Sequence, residues 1–452
     1  MAKVIIAGGG WAGCAAAIAA RKAGAEVILL ERADTLLGTG QVGGIMRNNG
    51  RYTAAEEMIA MGGGELFHLT DGNTRHANIT FPGHAHAYLY DVGRMEPIVR
   101  RFLLERGVEV WTVSRATEVK KSNDRITALV LENKEVIEGD GFVDTTGSLG
   151  PMANCSKYGN GCAMCIMRCL VWGGRVSIAG RAGINEFMGL RPDGGFGAMS
   201  GACKLHKGSL DPAVEAELDR TGVVVLPVPH DLAEKKKAGL SVKCCQQYAL
   251  AEYAENVILL DTGHAKLMSP YYPLEDLRRI PGLEDARYED PYAGGMGNSI
   301  RFLAMAPRED TMQVQGLSNL FCGGEKAGLL VGHTEAIVTG TLAGHNAVRH
   351  TAGIPLLHLP TNTAVGDFIA YSGEAMQSDE GRTKKYTFSG SVYFERMKAL
   401  DLYTTDTATI QQRVARAGMA GVFIQPIADI ARLETQALEY AQVSAAKEGR
   451  QG

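Results

Sequence analysis

The chain has 452 residues, 45% hydrophobic and 21% charged, an ordinary soluble balance with length for two or three domains. A formal net charge of −4 excludes the basic field that drives nonspecific nucleic-acid binding, although not a local basic groove. No run of 18 apolar residues occurs, the start MAKVIIAGGG lacks signal-peptide character, and nine clustered cysteines suit a reducing compartment, so a cytoplasmic protein without a membrane span is expected.

In chain order, Lys3 to Ala7 predicts a short strand. It runs into Gly8-Gly-Gly10-Trp-Ala-Gly13 and then an Ala-rich helix from Cys14 to Ala23. In such a turn Gly8 permits the strand-to-helix bend, Gly10 admits a pyrophosphate to the backbone, and Gly13 lets helix pack on strand. A second strand, Glu26 to Leu30, ends at Glu31, eighteen residues after Gly13, with Arg32 beside it. A carboxylate there takes both ribose hydroxyls, so strand, glycines, helix, strand and acid in register predict a bound dinucleotide rather than a bare turn. Leu37 to Gly44 is a second Gly-rich stretch, in which Gly43 and Gly44 approach the ligand. Arg47 and Arg51 follow it, flanking Asn48-Asn49, as candidates for a substrate carboxylate or the pyrophosphate. His84 and His86 share a predicted strand; with no acid nearby, a satisfied pair is favoured over a metal site. Gly107 to Trp111 and Ala128 to Val136 read as strands flanking an Asn123-Asp124 turn. Phe142-Val-Asp-Thr-Thr-Gly147 reads as another strand entering a Gly turn, with Thr146 and Gly147 at the nucleotide.

Four cysteines then fall within fifteen residues, Cys155, Cys162, Cys165 and Cys169, spaced C-x6-C-x2-C-x3-C. The last three match the tight part of a bacterial ferredoxin run, so a [4Fe-4S] cluster is expected. Zinc is the less favoured alternative, because four-thiolate zinc sites usually pair two short knuckles across a longer loop. Cys14 and Cys322 lie in apolar contexts and read as core, and Cys244-Cys245 as a packed or solvent-edge pair. Lys235 to Lys237 and Arg278-Arg279 read as solvated faces. Leu320 to Glu325 reads as a last strand, with Gly324 and Glu325 at the cofactor's sugar chain. These pieces spread over roughly 320 residues and point to FAD rather than NAD. His333, at the start of a helix over Thr334 to Ala347, is a catalytic candidate near the flavin ring, and equally an ordinary neighbour of the helix cap. Ala408 to Ala446 reads as a helical tail broken by Gly418, Gly421 and Pro426.

Residues 279 to 350 carry Arg279-Ile-Pro-Gly-Leu-Glu284, Leu320-Phe-Cys-Gly-Gly-Glu325 with Gly328, and Glu335-Ala-Ile-Val-Thr-Gly-Thr-Leu-Ala-Gly-His-Asn-Ala347. Leu359-Pro-Thr-Asn-Thr-Ala-Val-Gly366 follows. This order resembles the GidA-like FAD proteins that modify tRNA uridines and their folate-dependent methyltransferase branch. The resemblance implies an α/β fold: a discontinuous FAD-binding Rossmann-type domain in two parts (1–150 and 310–370), an inserted middle domain (151–309) and a helical C-terminal segment (371–452). It also implies a homodimer, the usual form of the related families. The methyltransferase branch uses an early Cys-Ser-Asn-Ser segment, whereas Gly44 to Arg51 here holds no Cys. The cysteine segment instead resembles flavin and iron–sulfur oxidoreductases related to the heterodisulfide-reductase flavin subunit. The expectation is therefore a FAD-dependent oxidoreductase passing single electrons between cluster and flavin. Its partner would be a small-molecule substrate or a redox protein such as a ferredoxin. A folate-dependent RNA uridine modifier with a nucleic-acid partner is the first alternative, and an electron-transfer subunit of a larger complex the second.

Overall fold

The computed structural model describes residues 1–147, 175–196, 198–199, 202–237, 240, 248–269, 272–289, 300–301 and 303–427. Cys155, Cys162, Cys165, Cys169, Cys244 and Cys245 lie outside these residues. Five parallel strands form the frame, in the order β19 (Leu320–Cys322), β10 (Gly141–Asp144), β1 (Lys3–Ala7), β2 (Glu26–Leu30) and β6 (Glu109–Trp111). Their Val, Ile, Leu and Phe runs are those of strands covered on both faces. The first helix, Trp11–Lys22, is buried from Trp11 to Ala20 because it lies along the long helix His333–Thr351. A Cβ added to Gly340 would stand 2.2 Å from the Ala12 carbonyl oxygen, and one on Gly344 2.2 Å from that of Ala16. The two helices therefore run parallel, and their small residues let the backbones touch. A meander, β7 (Ala116–Ser122), β8 (Arg125–Leu131) and β9 (Val136–Glu138), adds Ile126, Leu129, Leu131 and Ile137 to the same core.

A second sheet has the order β3 (Ile45–Arg47), β5 (His84–Tyr90), β4 (Thr74–Phe81). The inserted region builds an antiparallel sheet of β13 (Cys203–Leu205), β16 (Ala265–Leu267), β15 (Asn256–Asp261) and β14 (Val223–Pro227). Two short ladders pair β11 (Phe187–Met188) with β18 (Ala304–Met305), and β12 (Ala198–Met199) with β17 (Ile300–Arg301). Along β15 the side chains alternate. Val257 and Leu259 join a core with Leu205, Leu218 and Ile280, while Ile258 and Leu260 pack against Phe81 and Leu89 of the neighbouring sheet and Tyr253 of the short helix Glu252–Glu255. At the strand's end the fully buried Asp261 accepts from Arg75 Nε at 2.9 Å, pairs with His76 Nε2 at 2.8 Å and with Lys207 Nζ at 2.7 Å. That carboxylate pins the inserted sheet to β4.

Helices Ala364–Ala375, Asp379–Thr383, Ser391–Ala399 and Thr407–Arg416 follow. The buried Glu57 carboxylate accepts from the Ala364 and Val365 amides, both at 2.9 Å, and from Arg413 at 3.1 Å, tying this region to helix Gly50–Ala60. The α/β class, the parallel Rossmann-type sheet and the helical C-terminal region are as the sequence predicts. Some element boundaries differ. The first helix begins at Trp11 rather than Cys14. The strand expected over Ala128 to Val136 is two strands, because Asn133 Oδ1 accepts the Glu135 amide and Lys134 takes a positive φ, making a turn. The Asn123 turn consequently joins β7 to β8. Helix Thr407–Arg416 closes before Gly418, with φ +69°, at the first of the predicted breaks, and residues 428–446 of the expected tail lie outside the described residues. Among the described residues no helix is long and apolar enough to cross a membrane.

Candidate functional site

A cleft of about 670 Å³ opens at the C-terminal ends of β1, β2 and β10. Gly8, Gly10, Glu31, Arg32, Thr146 and Gly147 line it, so six of the predicted cofactor residues meet in one place. Gly8 holds φ +106°, and a Cβ there would lie 2.4 Å from the Thr145 carbonyl oxygen; one on Gly13 would lie 1.8 Å from the Gly8 oxygen. At Gly10 such an atom meets nothing within 4 Å. Two glycines thus close the bend, and the third leaves open space where a diphosphate would approach the helix N-terminus. Glu31 is buried. Its Oε2 accepts the Gly9 amide at 2.8 Å and its Oε1 the Ala33 amide at 2.9 Å. Burial pushes this carboxyl up, while those amides and the charges of Arg32 and Arg175 pull it down. Held so, it keeps lone pairs for two ribose hydroxyls. The residues fit the adenosine diphosphate half of FAD.

Gly43 lies at the other end of the second Gly-rich stretch. A Cβ there would fall 1.8 Å from His333 Cε1, so the loop and that ring are in contact. His333 packs 5.7 Å from the Trp11 ring, and its Nδ1 lies 3.2 Å from the Tyr90 hydroxyl. Burial, with the charges of Arg51 and Lys266, pushes its pKa down to about 3, so the ring is neutral at physiological pH. Gly44 sits over Thr262 of the inserted region, and Gly324 donates its amide to Thr339 Oγ1 at 2.8 Å with Glu325 beside it on the turn Gly324–Lys326. Lys266 reaches the Gly43 carbonyl, and Lys204, its cross-strand partner, reaches that of Gln41 at 3.2 Å.

Arg51 and Arg47 are not in the cleft. Arg51 is buried and donates to Glu335, to Asn48 Oδ1, to the Val331 carbonyl and to Thr387 Oγ1 at 3.0–3.2 Å. Arg47, also buried, pairs with Glu56 and Asp71 between the rings of Tyr52 and Tyr88. Their partners are distant in sequence or ordinary helix acids, with no local signal that would have flagged them. The two strand histidines part company: His84 lies 2.8 Å from Asn48 and stacks near Tyr248, while His86 meets Asn78 at 2.8 Å. Cys14 and Cys322 are core residues whose thiols burial pushes up, Cys322 to about 12. Among the described residues no group of three or more His, Cys, Asp or Glu is placed to hold a metal. Sequence reasoning missed Arg115 and Arg175, which also line the cleft, and Asp144 at the end of β10. Asp144 is fully buried and accepts from Thr146 Oγ1 at 2.7 Å and from the Ala179 amide at 3.0 Å, so it binds the chain on both sides of residues 148–174. Its signal was its position in Val143-Asp-Thr-Thr-Gly147.

Residues 3–158 match the FAD dependent oxidoreductase family model, and residues 234–355 the model of glucose inhibited division protein A. The second match includes part of the inserted region as well as β19 and the helix His333–Thr351. Over the whole fold, the Aquifex aeolicus GidA crystal structure superposes on 97% of this chain and 76% of its own, with a TM-score of 0.63 at 14% identity. Curated relatives include methylenetetrahydrofolate–tRNA-(uracil-5-)-methyltransferase TrmFO of Bacillus pumilus, 35% identical over 100 residues, 22% of each chain. The Thermus thermophilus protein of that name is 31% identical over 119 residues, 26% of this chain and 25% of its own. The matches thus span about a quarter of those relatives or less. Residues 3–158 match the FAD dependent oxidoreductases, and the fold that carries them is similar to that of GidA.

Proposed function

We propose that the protein is a FAD-dependent oxidoreductase acting on a uridine in RNA of the tRNA class. The observation that carries this reading is the union in one chain of an FAD-type nucleotide cleft with a GidA-type segment over residues 234–355. The TrmFO relatives, named for tRNA uracil methylation, support the substrate. FAD, when bound, supplies a two-electron carrier for substrate oxidation or reduction. The chain's own contributions are those of position. Glu31 orients the adenosine ribose, the glycine turn admits the diphosphate, and neutral His333 with Tyr90 forms the wall beyond Gly43. Cys14, Cys203 and Cys322 are buried, so a reaction that captures uracil through a thiol would draw it from cysteines outside the described residues.

A second reading rests on the spacing of Cys155, Cys162, Cys165 and Cys169. That spacing supports a [4Fe-4S] cluster relaying single electrons to the flavin, with a redox protein as partner. One preparation tests both. Anaerobically purified protein is assayed for FAD, iron, sulfide and zinc, then incubated with undermodified tRNA, methylenetetrahydrofolate and a reduced nicotinamide or dithionite as the two-electron reductant of the flavin, and the nucleosides are analysed by mass spectrometry. FAD with a new uridine modification supports the RNA reading. FAD with about four irons and unchanged tRNA overturns it in favour of the electron relay.

A further inference from the structure

The nucleotide cleft has a charge pattern that the glycine fingerprint does not account for. Its lining carries one carboxylate, Glu31, and three guanidinium groups, those of Arg32, Arg115 and Arg175. The glycine turn offers amides and a helix dipole but no whole charge, and the first turn of helix Trp11–Lys22 holds no acidic residue. Arg32 follows β2 directly, and Arg115 is drawn towards Glu132 of the meander at 2.6 Å. Arg175 differs from both. It is contributed by the inserted region, half-buried, from the point where the described chain resumes after residue 147. An atom added at Gly147 would lie 3.4 Å from its Nη1, and its charge also acts on Glu31. Its guanidinium therefore stands beside Gly147 at the end of β10, in the same cleft lining as Gly8, Gly10 and Glu31.

A diphosphate brings two negative charges into this cleft, and a planar guanidinium can grip phosphate oxygens through two parallel hydrogen bonds. We propose that Arg175 binds the pyrophosphate of the cofactor, so that the inserted region supplies one of the ligands of the nucleotide site. This rests on the reading that the cleft holds FAD. Arg175 neither replaces the glycine turn nor takes part in electron transfer. It neutralises charge that the turn's dipoles only partly offset.

The test is calorimetric titration of the full-length flavin-free protein with FAD, ADP and adenosine, for wild type, Arg175→Ala and Arg175→Lys. Loss of a charged hydrogen-bond donor should weaken FAD and ADP binding by about tenfold to a hundredfold. Adenosine, which lacks the phosphates, should bind Arg175→Ala as it binds wild type, which also certifies that the variant is folded. Arg175→Lys should fall between, and it decides the matter by the same comparison if the alanine variant does not fold. Unchanged ADP affinity, or an equal loss for ADP and adenosine, overturns the proposal while leaving the FAD reading intact. A wild-type protein that binds neither FAD nor ADP overturns both.

Discussion

Arg51 shows how a single side chain can look functional in the sequence and be structural in the fold. It follows a glycine-rich loop, the usual address of a phosphate or carboxylate ligand, yet its guanidinium is spent on a buried carboxylate 284 residues further on, together with Asn48, Val331 and Thr387. Removing one member of a buried ion pair leaves the other uncompensated, so Arg51→Ala should cost about 3–5 kcal/mol in denaturant unfolding. Arg51→Lys should recover little of it, because an ammonium cannot reproduce the fork. Glu31 behaves in the opposite way. Its place in the cleft was legible because strand, turn and helix fix its distance from Gly13 locally, whereas nothing near Arg51 announces Glu335. Arg175 was illegible for the same reason: only the return of the chain to the cleft brings it beside Gly147.

At the scale of elements, the small residues of the first helix and of the long helix His333–Thr351 form one seam. Gly344 meets the Ala16 backbone so closely that an added Cβ would lie 2.2 Å from the carbonyl oxygen. Backbone cannot yield as a side-chain tip can. Gly344→Ala should therefore lower stability by about 1–3 kcal/mol or more and loosen flavin binding, read by thermal unfolding with and without added FAD. The Ala-x3-Ala and Gly-x3-Gly spacings were visible in the sequence, but not that they face each other. The misread strand over Ala128 to Val136 has a plainer cause. A side-chain-stabilised turn at Asn133 interrupts a run whose apolar pattern continues on both sides.

At the scale of the molecule, the nucleotide-binding frame could be read from local motifs, while the inserted sheet could not, since its strands pair by topology rather than by fingerprint. Asp261 fixes how that sheet sits. Burial opposes its ionisation, but the hydrogen bonds from Lys207, Arg75 and His76 outweigh burial and hold the carboxyl down at about 2. The unfolded carboxyl titrates near 3.9. A carboxylate depressed in the fold contributes stability that is fully present above its unfolded pKa and lost as pH falls through its folded one. The difference in melting temperature between wild type and Asp261→Asn should therefore be full at pH 5–6 and shrink steadily from about pH 4 towards pH 2. A pH-independent difference would mean that shape, not charge, anchors the sheet.

The parallel pairing of the two buried helices carries an electrical consequence. Ala12 lies level with Gly340, so the long helix projects six residues, about 9 Å, beyond the start of its neighbour. Each helix presents roughly half a positive charge at its N-terminus. The protein therefore holds two like partial charges on the same side of its core, stepped along one line, where they repel each other. A diphosphate held at the glycine turn would bring negative charge to the N-terminus of the shorter helix, where Gly10 leaves open space. A bound diphosphate would offset part of that repulsion, and so would add to the hold that the glycines give these helices.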